Sequence, residues 1–190
     1  MTTKNAGPVP AAPNQAAHAA YWVRELRSDH AGETGAVWIY KGLAAVARMT
    51  NDAELLKLAR HHGDTEKQHL QLIESVLAKH LQSRLLIPWC AAGWLTGALP
   101  ALFGRRAVYA TIAAVETFVE RHYQDQIDYS RTHGAPDGLL EMLTRCQADE
   151  ITHQNEARSM IPTALPLILR VWCAIVGRGS EWAVMLARRL

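Results

Sequence analysis

Two E-x-x-H motifs, at residues 66–69 and 150–153, set narrow limits on how this 190-residue chain can fold. Residues three apart on an α-helix point the same way, so each motif directs one carboxylate and one imidazole towards one point. Both motifs lie in the middle of an apolar stripe, the face that a helix buries. Because a buried carboxylate needs a cation or a hydrogen-bond donor, the motifs predict an all-α protein with a metal site in its core.

Two single glutamates, Glu33 and Glu116, lie on the apolar stripes of two further predicted helices. Each precedes an E-x-x-H motif by a similar distance, and each half of the chain then continues into an apolar segment. Glu120, one helical turn after Glu116, is the alternative for the fourth carboxylate. One glutamate from each of two helices and an E-x-x-H from each of two others form a ferritin-like di-iron or di-manganese site. We therefore expect a four-helix bundle of two facing hairpins.

Composition excludes several classes of protein. An apolar content of 49% and a net charge of +2 indicate a globular or membrane-associated protein rather than a disordered or nucleic-acid-binding one. Three widely spaced cysteines give no disulfide framework and suit a reducing compartment. Residues 1–16 predict a disordered tail and residues 17–190 a single ferritin-like domain. Without a secretory or transit signal at the start, we expect a bacterial cytoplasmic location.

An uncharged stretch at residues 85–103 is long enough to meet a membrane. Its prolines and glycines make a spanning helix unfavourable, so we expect a helix at the membrane interface, with Trp89 and Trp94 as anchors. The alternative is a buried helix of a soluble bundle. Residues 161–177 form a second apolar stretch, interrupted by Arg170, which predicts a second interface helix followed by a short amphipathic end.

Several segments resemble one known family. SDHAGETGAVWIYKGL at residues 28–43 resembles the first ligand helix of the demethoxyubiquinone hydroxylases. EKQHL at 66–70, VETFVERHY at 115–123 and ADEITH at 148–153 resemble its other ligand segments in order and spacing. The resemblance covers roughly residues 20 to 190. The DHAGE segment is specific to this family, whereas E-x-x-H is common to ferritin-like proteins.

The resemblance implies a ligand set for two iron ions and chooses Glu116 over Glu120. Thr34 departs from the family pattern, which has an aromatic residue after the first ligand, so the pocket is expected to differ in shape there. The six implied metal ligands are Glu33, Glu66, His69, Glu116, Glu150 and His153.

The resemblance also implies an activity. It predicts an O2-dependent monooxygenase of ubiquinone biosynthesis that hydroxylates the ring of a polyprenyl 3-methyl-6-methoxy-1,4-benzoquinol. NADH is the expected ultimate electron donor, although no G-x-G-x-x-G motif predicts a nucleotide-binding domain. The substrate's tail lies in lipid, so we expect a peripheral protein on the cytoplasmic face of the inner membrane. Other ubiquinone-biosynthesis proteins are the expected partners, and the sequence does not indicate the oligomeric state.

Residues beside the ligands have predicted supporting roles. Asp149 is expected to accept the outer ring N–H of His69, the alternative being a solvent-facing residue. His122 and Tyr123 are expected near the substrate or the electron path. The remaining histidines of interest are expected to be surface or packing residues: His61, His62, His80 and His133.

Two other functional classes stay open from the residues alone. One is a soluble ferroxidase or peroxidase of the rubrerythrin kind, which would share the metal site but not the apolar segments. The other is a metal-free, membrane-associated helical scaffold. Solubility without detergent separates the first from a quinol hydroxylase, and metal analysis separates the second.

Overall fold

The computed structural model describes residues 13–84, 86–161 and 163–190, and these residues contain α-helices and a 3-10 turn but no strand. The all-α prediction is therefore confirmed. The 3-10 turn spans Lys79–Leu81. The helices are α1 (Pro13–Met49), α2 (Ala53–Val76), α3 (Leu86–Leu102), α4 (Arg105–His133), α5 (Leu139–Ser159) and α6 (Leu167–Ala187).

Three predicted boundaries differ from the structure. Residues 1–12 of the predicted tail lie outside the described residues, and α1 begins at Pro13 rather than at Ala17. The predicted helix over the second apolar stretch begins only at Leu167, after Pro166, whose fixed φ suits a position just before a helix. The expected amphipathic end is not a separate element, because α6 continues through Gly177 to Ala187.

The six helices form two hairpins, each with one additional helix. Helix α1 packs against α2, and α4 packs against α5. Helix α3 lies on α1, whereas α6 lies on α4 and also contacts α1. This order repeats the pattern expected from the sequence. Nowhere in the described ranges does a helix combine the length and hydrophobicity required to cross a membrane.

The two hairpins are joined at the end where α2 and α4 begin. Asp52 caps α2, because its Oδ1 accepts a hydrogen bond from the Leu55 N–H at 3.0 Å. The same carboxylate accepts from Nε of Arg105, the first residue of α4, at 2.7 Å. Gly104 makes this connection possible, since its φ of +93° is a conformation that L side chains rarely adopt.

Glycines allow α3 to approach α1 at backbone distance. A Cβ atom added to Gly97 would lie 1.8 Å from the carbonyl oxygen of Ile39, and one added to Gly93 would lie 2.3 Å from that of Gly35. Close backbone approach is the usual reason for glycine within a helix.

The core consists of two apolar clusters with a polar layer between them. One cluster contains Leu43 and Leu55, and the other contains Ile73 and Leu143, from opposite ends of the hairpins. The polar layer lies in mid-helix, where both ends of each ligand helix are fixed by apolar packing. Side chains in this layer are held rigidly, which a site of defined geometry requires.

Candidate metal centre

The structure brings all six predicted ligands together in the polar layer. Glu33 comes from α1, Glu116 from α4, and one E-x-x-H pair from each of α2 and α5. None of the six residues is more than 3% exposed. They form two groups whose ligand atoms lie within 4.8 Å of one another, and both groups contain Glu66 and Glu150. The first group adds Glu33 and His69, and the second adds Glu116 and His153.

Distances within the cluster distinguish shared from terminal carboxylates. Nδ1 of His69 lies 3.0 Å from Glu150 and 3.7 Å from Glu66. Nδ1 of His153 lies 3.2 Å from Glu66 and 3.5 Å from Glu150. Both imidazoles therefore direct Nδ1 to the centre, where two carboxylates bridge the halves. Glu33 and Glu116 each belong to one half only.

Burial and crowding shift the protonation of these groups. Burial raises the pKa of Glu33 and Glu116 well above their usual range, and nearby carboxylates add to the effect for both. Burial also opposes charge on Glu66, but the adjacent imidazoles of His153 and His69 outweigh it and lower the pKa to about 2. Burial alone would lower the pKa of His153, yet the adjacent carboxylates of Glu150 and Glu66 raise it to about 9.

Unpaired atoms in the cluster fit a cation. Glu33 Oε2, Glu66 Oε1, Glu150 Oε2 and His153 Nδ1 are buried and have no hydrogen-bond partner among the described residues. All four belong to the predicted ligands. Four carboxylates and two imidazoles form a hard oxygen and nitrogen donor set, which favours iron or manganese over a thiolate zinc site. The residues present therefore fit a pair of divalent cations.

Two tyrosines support the terminal carboxylates, and the sequence analysis identified only one of them. Oη of Tyr40 donates a hydrogen bond to Glu116 at 2.9 Å, and Oη of Tyr123 donates to Glu33. Each tyrosine follows a terminal glutamate of its own hairpin by the same number of residues. This equal spacing on two apolar stripes is the signal that could have identified Tyr40.

Carboxylates next to the ligands differ in their contacts. Asp149 Oδ2 lies 3.1 Å from Nε2 of His69, which is the contact predicted from the sequence. Glu120 belongs to neither ligand group; its Oε2 accepts from Nε2 of Gln154 at 2.9 Å. The geometry therefore favours Glu116, as the resemblance does.

His122 belongs to a buried network rather than to the ligand groups. Its Nε2 lies 2.8 Å from Oδ1 of Asp29, and Nε2 of Gln126 donates to the same oxygen at 2.7 Å. Both His122 and Tyr123 line a small cavity of about 30 Å³ beside the cluster. The role expected for the pair, near the substrate or the electron path, stays a prediction.

The other histidines divide into two kinds. His61, His80 and His133 are exposed. His62 is completely buried, and its ring stacks on that of His153 with 3.9 Å between centroids. His62 is thus a packing residue, but the residue that it packs against is a predicted ligand.

A larger cavity of about 340 Å³ lies between α1, α3, α4 and α6. Its lining is mainly apolar, and Thr34 lines neither cavity. The two cavities share lining residues, so the apolar cavity lies next to the small one, which is lined by Glu33, Glu66, Glu116 and Glu150. The shared residues are Ser28, Gly32, Ala36, Phe118, Val119 and Val184.

Comparison with known proteins identifies the family. The family model described as "Ubiquinone biosynthesis protein COQ7" matches residues 20–187. The chain belongs to the COQ7 family. The resemblance drawn from the ligand segments is thereby confirmed.

COQ7 relatives match most of the chain. It is 32% identical to the "NADPH-dependent 3-demethoxyubiquinone 3-hydroxylase, mitochondrial" of Dictyostelium discoideum, over 88% of this chain and 76% of the relative. It is 33% identical to the protein of that name in Caenorhabditis elegans, over 87% of this chain and 88% of the relative. It is 39% identical to the "3-demethoxyubiquinol 3-hydroxylase" of Rhodospirillum rubrum, over 75% of this chain and 66% of the relative. The metal-binding roles of the six residues in this COQ7-family chain stay predictions.

Proposed function

We propose that this COQ7-family protein is an O2-dependent monooxygenase of ubiquinone biosynthesis that hydroxylates the ring of a polyprenyl 3-methyl-6-methoxy-1,4-benzoquinol. The observation that carries the proposal is an apolar cavity adjacent to a buried cluster of four carboxylates and two imidazoles. The names of the relatives support the substrate. Family membership also disfavours the ferroxidase, peroxidase and scaffold alternatives.

Two iron ions, held by the six predicted ligands, would supply the binding and reduction of O2. One oxygen atom of O2 enters the ring as a hydroxyl group, and the other is reduced to water by two electrons from the reductant and two protons. Tyr40 and Tyr123 hold the terminal carboxylates through hydrogen bonds. Fixed ligands need little rearrangement during the reaction, which is how a preorganised site lowers a barrier.

The cavity residues position the ring and exclude water from it. Gly32 lines both cavities, and a Cβ atom added there would meet nothing within 4 Å, so its position leaves open space for a ring. Phe118 and Val119 line both cavities and form an apolar wall beside the cluster. Removing water strengthens the electrostatic interactions of the buried carboxylates.

The reductant in this proposal is a reduced nicotinamide nucleotide. The sequence analysis expected NADH, whereas the names of several relatives specify NADPH. Comparing the two nucleotides in an anaerobic reduction assay with the loaded protein and a short-chain quinone decides between them. The preferred nucleotide is the one that reduces the quinone faster at equal concentration.

Peripheral membrane contact through α3 and α6 also belongs to the proposal. Ile87 on α3 and Ile168 on α6 are 84% and 77% exposed, and Trp182 on α6 is 72% exposed. Large apolar side chains exposed together mark a surface that meets protein or lipid. Trp89 is a poorer anchor than the sequence suggested, since its Nε1 donates to Ser83 and its ring lines the cavity. A location at the cytoplasmic face of the inner membrane stays a prediction.

Hydroxylation in vitro tests the reaction. Purified full-length protein is loaded with iron without oxygen, given a short-tailed demethoxyubiquinol, and exposed to ¹⁸O2. We expect product that carries one ¹⁸O atom in the new hydroxyl group. Protein that contains two irons per chain yet forms no labelled product would overturn the proposal.

Genetic deletion tests the pathway. Cells that lack the gene should accumulate the demethoxy precursor and lose ubiquinone under aeration. Expression of the intact chain should restore ubiquinone, whereas a Glu150→Ala chain should not. Normal ubiquinone in a deletion strain that has no second hydroxylase for this step would contradict the assignment.

A further inference from the structure

The two halves of the ligand cluster are supported differently on their outer side. Nε2 of His69 pairs with Asp149, the residue just before Glu150. The equivalent residue before Glu66 is Thr65, whose hydroxyl donates within its own helix to the carbonyl of His61. Within the described part of the chain, no carboxylate pairs with Nε2 of His153. Something other than a carboxylate must therefore orient this second imidazole.

His62 provides that contact. Its ring lies parallel to the ring of His153, with an interplanar angle of 11° and 3.9 Å between centroids. It has no exposed surface, so neighbouring side chains fix its position. A ring held this closely against another restricts rotation of His153 about its own side-chain bonds.

His62 is itself anchored at both nitrogens. Nδ1 lies 3.1 Å from Oη of Tyr40, and Nε2 lies 2.9 Å from the half-exposed carboxylate of Glu156. The hydroxyl of Tyr40 donates to Glu116 at 2.9 Å. One anchored imidazole thus connects both His153 and Glu116, the two ligands found only in the second group.

We infer that His62, anchored by Tyr40 and Glu156, is a positioning residue for one of the two metal ions, the task that Asp149 performs for the other. The inference rests on the proposed di-iron centre. The hairpins share one arrangement of ligands, but the position equivalent to His62, four residues before Glu150, is Cys146. A thiol there has neither the ring nor the two nitrogens of an imidazole. The two metal sites therefore differ in the residue that holds the histidine ligand in position.

Selective weakening of one metal site tests the inference. Removing a group that orients a metal ligand weakens metal affinity by roughly 10–100-fold. His62→Ala should weaken one of the two successive Fe(II) affinities of the full-length apoprotein by this factor, without oxygen present. In ⁵⁷Fe Mössbauer spectra of the diferrous protein, one iron environment should change and the other should remain. Asp149→Asn should change the environment that His62→Ala leaves intact.

Three further variants separate positioning from general loss of stability. Glu156→Gln removes only the half-exposed carboxylate that contacts His62. This variant replaces His62→Ala in the test if His62→Ala does not fold, and it should affect the same iron environment. His62→Phe keeps the stacked ring but loses both anchors, so its effect should be smaller than that of His62→Ala. His61→Ala, at an exposed histidine next in sequence, should leave both environments unchanged.

The outcomes distinguish this inference from the proposed function. Equal changes in both iron environments, or a lower melting temperature with unchanged spectra, would overturn the positioning role of His62. Wild-type protein that binds fewer than two ions would overturn the di-iron centre, and the inference with it.

Discussion

Tyr40 and Tyr123 show how single residues hold the two halves of the site together. Each hydroxyl extends from its own hairpin to the terminal carboxylate of the other hairpin. A hydrogen bond buried at low dielectric is electrostatically stronger than one in water. The pair therefore fixes the distance between the hairpins at the level of the cluster.

Glu150→Ala should remove both metal ions, because its carboxylate belongs to both ligand groups. We expect iron content far below two per chain and no hydroxylation, while far-UV circular dichroism still reports a helical protein. Metal analysis after anaerobic loading gives the result. Glu120→Ala is the matched control, since Glu120 lies one turn after Glu116 but outside both groups. Full iron content in Glu150→Ala would remove this residue from the site.

Gly32→Leu should block the cavity without disturbing the metal ligands. A Cβ atom at this position meets nothing within 4 Å, so the new side chain leaves the helix into open space. We expect a higher KM for the quinol or loss of turnover, with iron content unchanged. Gly177→Leu on α6 adds the same volume at a residue that does not line this cavity and should keep activity. Normal KM in Gly32→Leu would show that the substrate does not use this cavity.

Much of the site could be predicted because its signals are local. Glu66 and His69 share a helix face at a spacing that the sequence displays directly. The contacts around His62 could not be predicted in this way, since Tyr40 and Glu156 come from other helices. Such contacts depend on helix packing and rotation, which the periodicity of one sequence does not specify.

The contact between α1 and α3, here called the glycine seam, depends on two glycines of α3. Gly93 and Gly97 lie against the backbone of α1, at distances where no other residue fits without movement. The apolar pattern of residues 85–103 predicted the helix but not which side would face α1. The glycines lie on the side that contacts α1. The sequence analysis treated them only as residues that disfavour a spanning helix, and so it missed this contact.

Gly97→Ala should destabilise the protein by about 1–3 kcal/mol, because its methyl group would overlap the Ile39 carbonyl and push α3 away from α1. Urea unfolding of the metal-free protein measures the change. Gly177→Ala has open space around its Cβ and should instead stabilise α6 by about 0.5–1 kcal/mol. Equal changes in the free energy of unfolding for the two variants would contradict a close packing requirement at Gly97.

Apolar side chains on α6 should carry membrane binding. Ile168 and Ile175 are 77% and 59% exposed, and changing both to Asp should release the protein from vesicles, since charge is costly in the hydrocarbon region. Vesicle flotation is the measurement. Val76→Asp with Leu140→Asp, on α2 and α5, is the matched control and should float like wild type. Unchanged flotation of the α6 variant would assign lipid contact elsewhere.

At the scale of the molecule, buried charge makes metal and stability interdependent. The polar layer holds four carboxylates between two apolar clusters, so protons on some of these groups stabilise the metal-free bundle. A metal pair replaces those protons with fixed positive charge. Metal binding and folding should therefore respond to pH in opposite directions.

Metal-free protein should lose stability as the pH rises from about 6.5 to about 9. Folding raises the pKa of His153 from 6.5 to about 9, and it also raises those of Glu33 and Glu116. A folded state that holds protons more tightly than the unfolded state is destabilised when they leave. Glu66 does not change the pH dependence of stability in this range. Its pKa is lowered on folding, so its contribution to stability is already complete above its usual pKa of 4.5.

Thermal unfolding across this pH range measures the effect, with and without Mn(II) as a redox-silent ion. The melting temperature without metal should fall, while the increase produced by metal should grow. A melting temperature that rises with pH in metal-free protein would contradict the sign of these pKa shifts.

The division of labour among the helices has a consequence for protein engineering. Helices α2 and α5 supply both E-x-x-H motifs and no residue of the larger cavity, whereas α3 and α6 line that cavity and supply no ligand. Chimaeras that receive α3 and α6 from a relative can therefore change which quinol tail is accepted while keeping the oxygen chemistry. The glycine seam sets the one condition for such a graft, because the incoming α3 must keep small residues against α1.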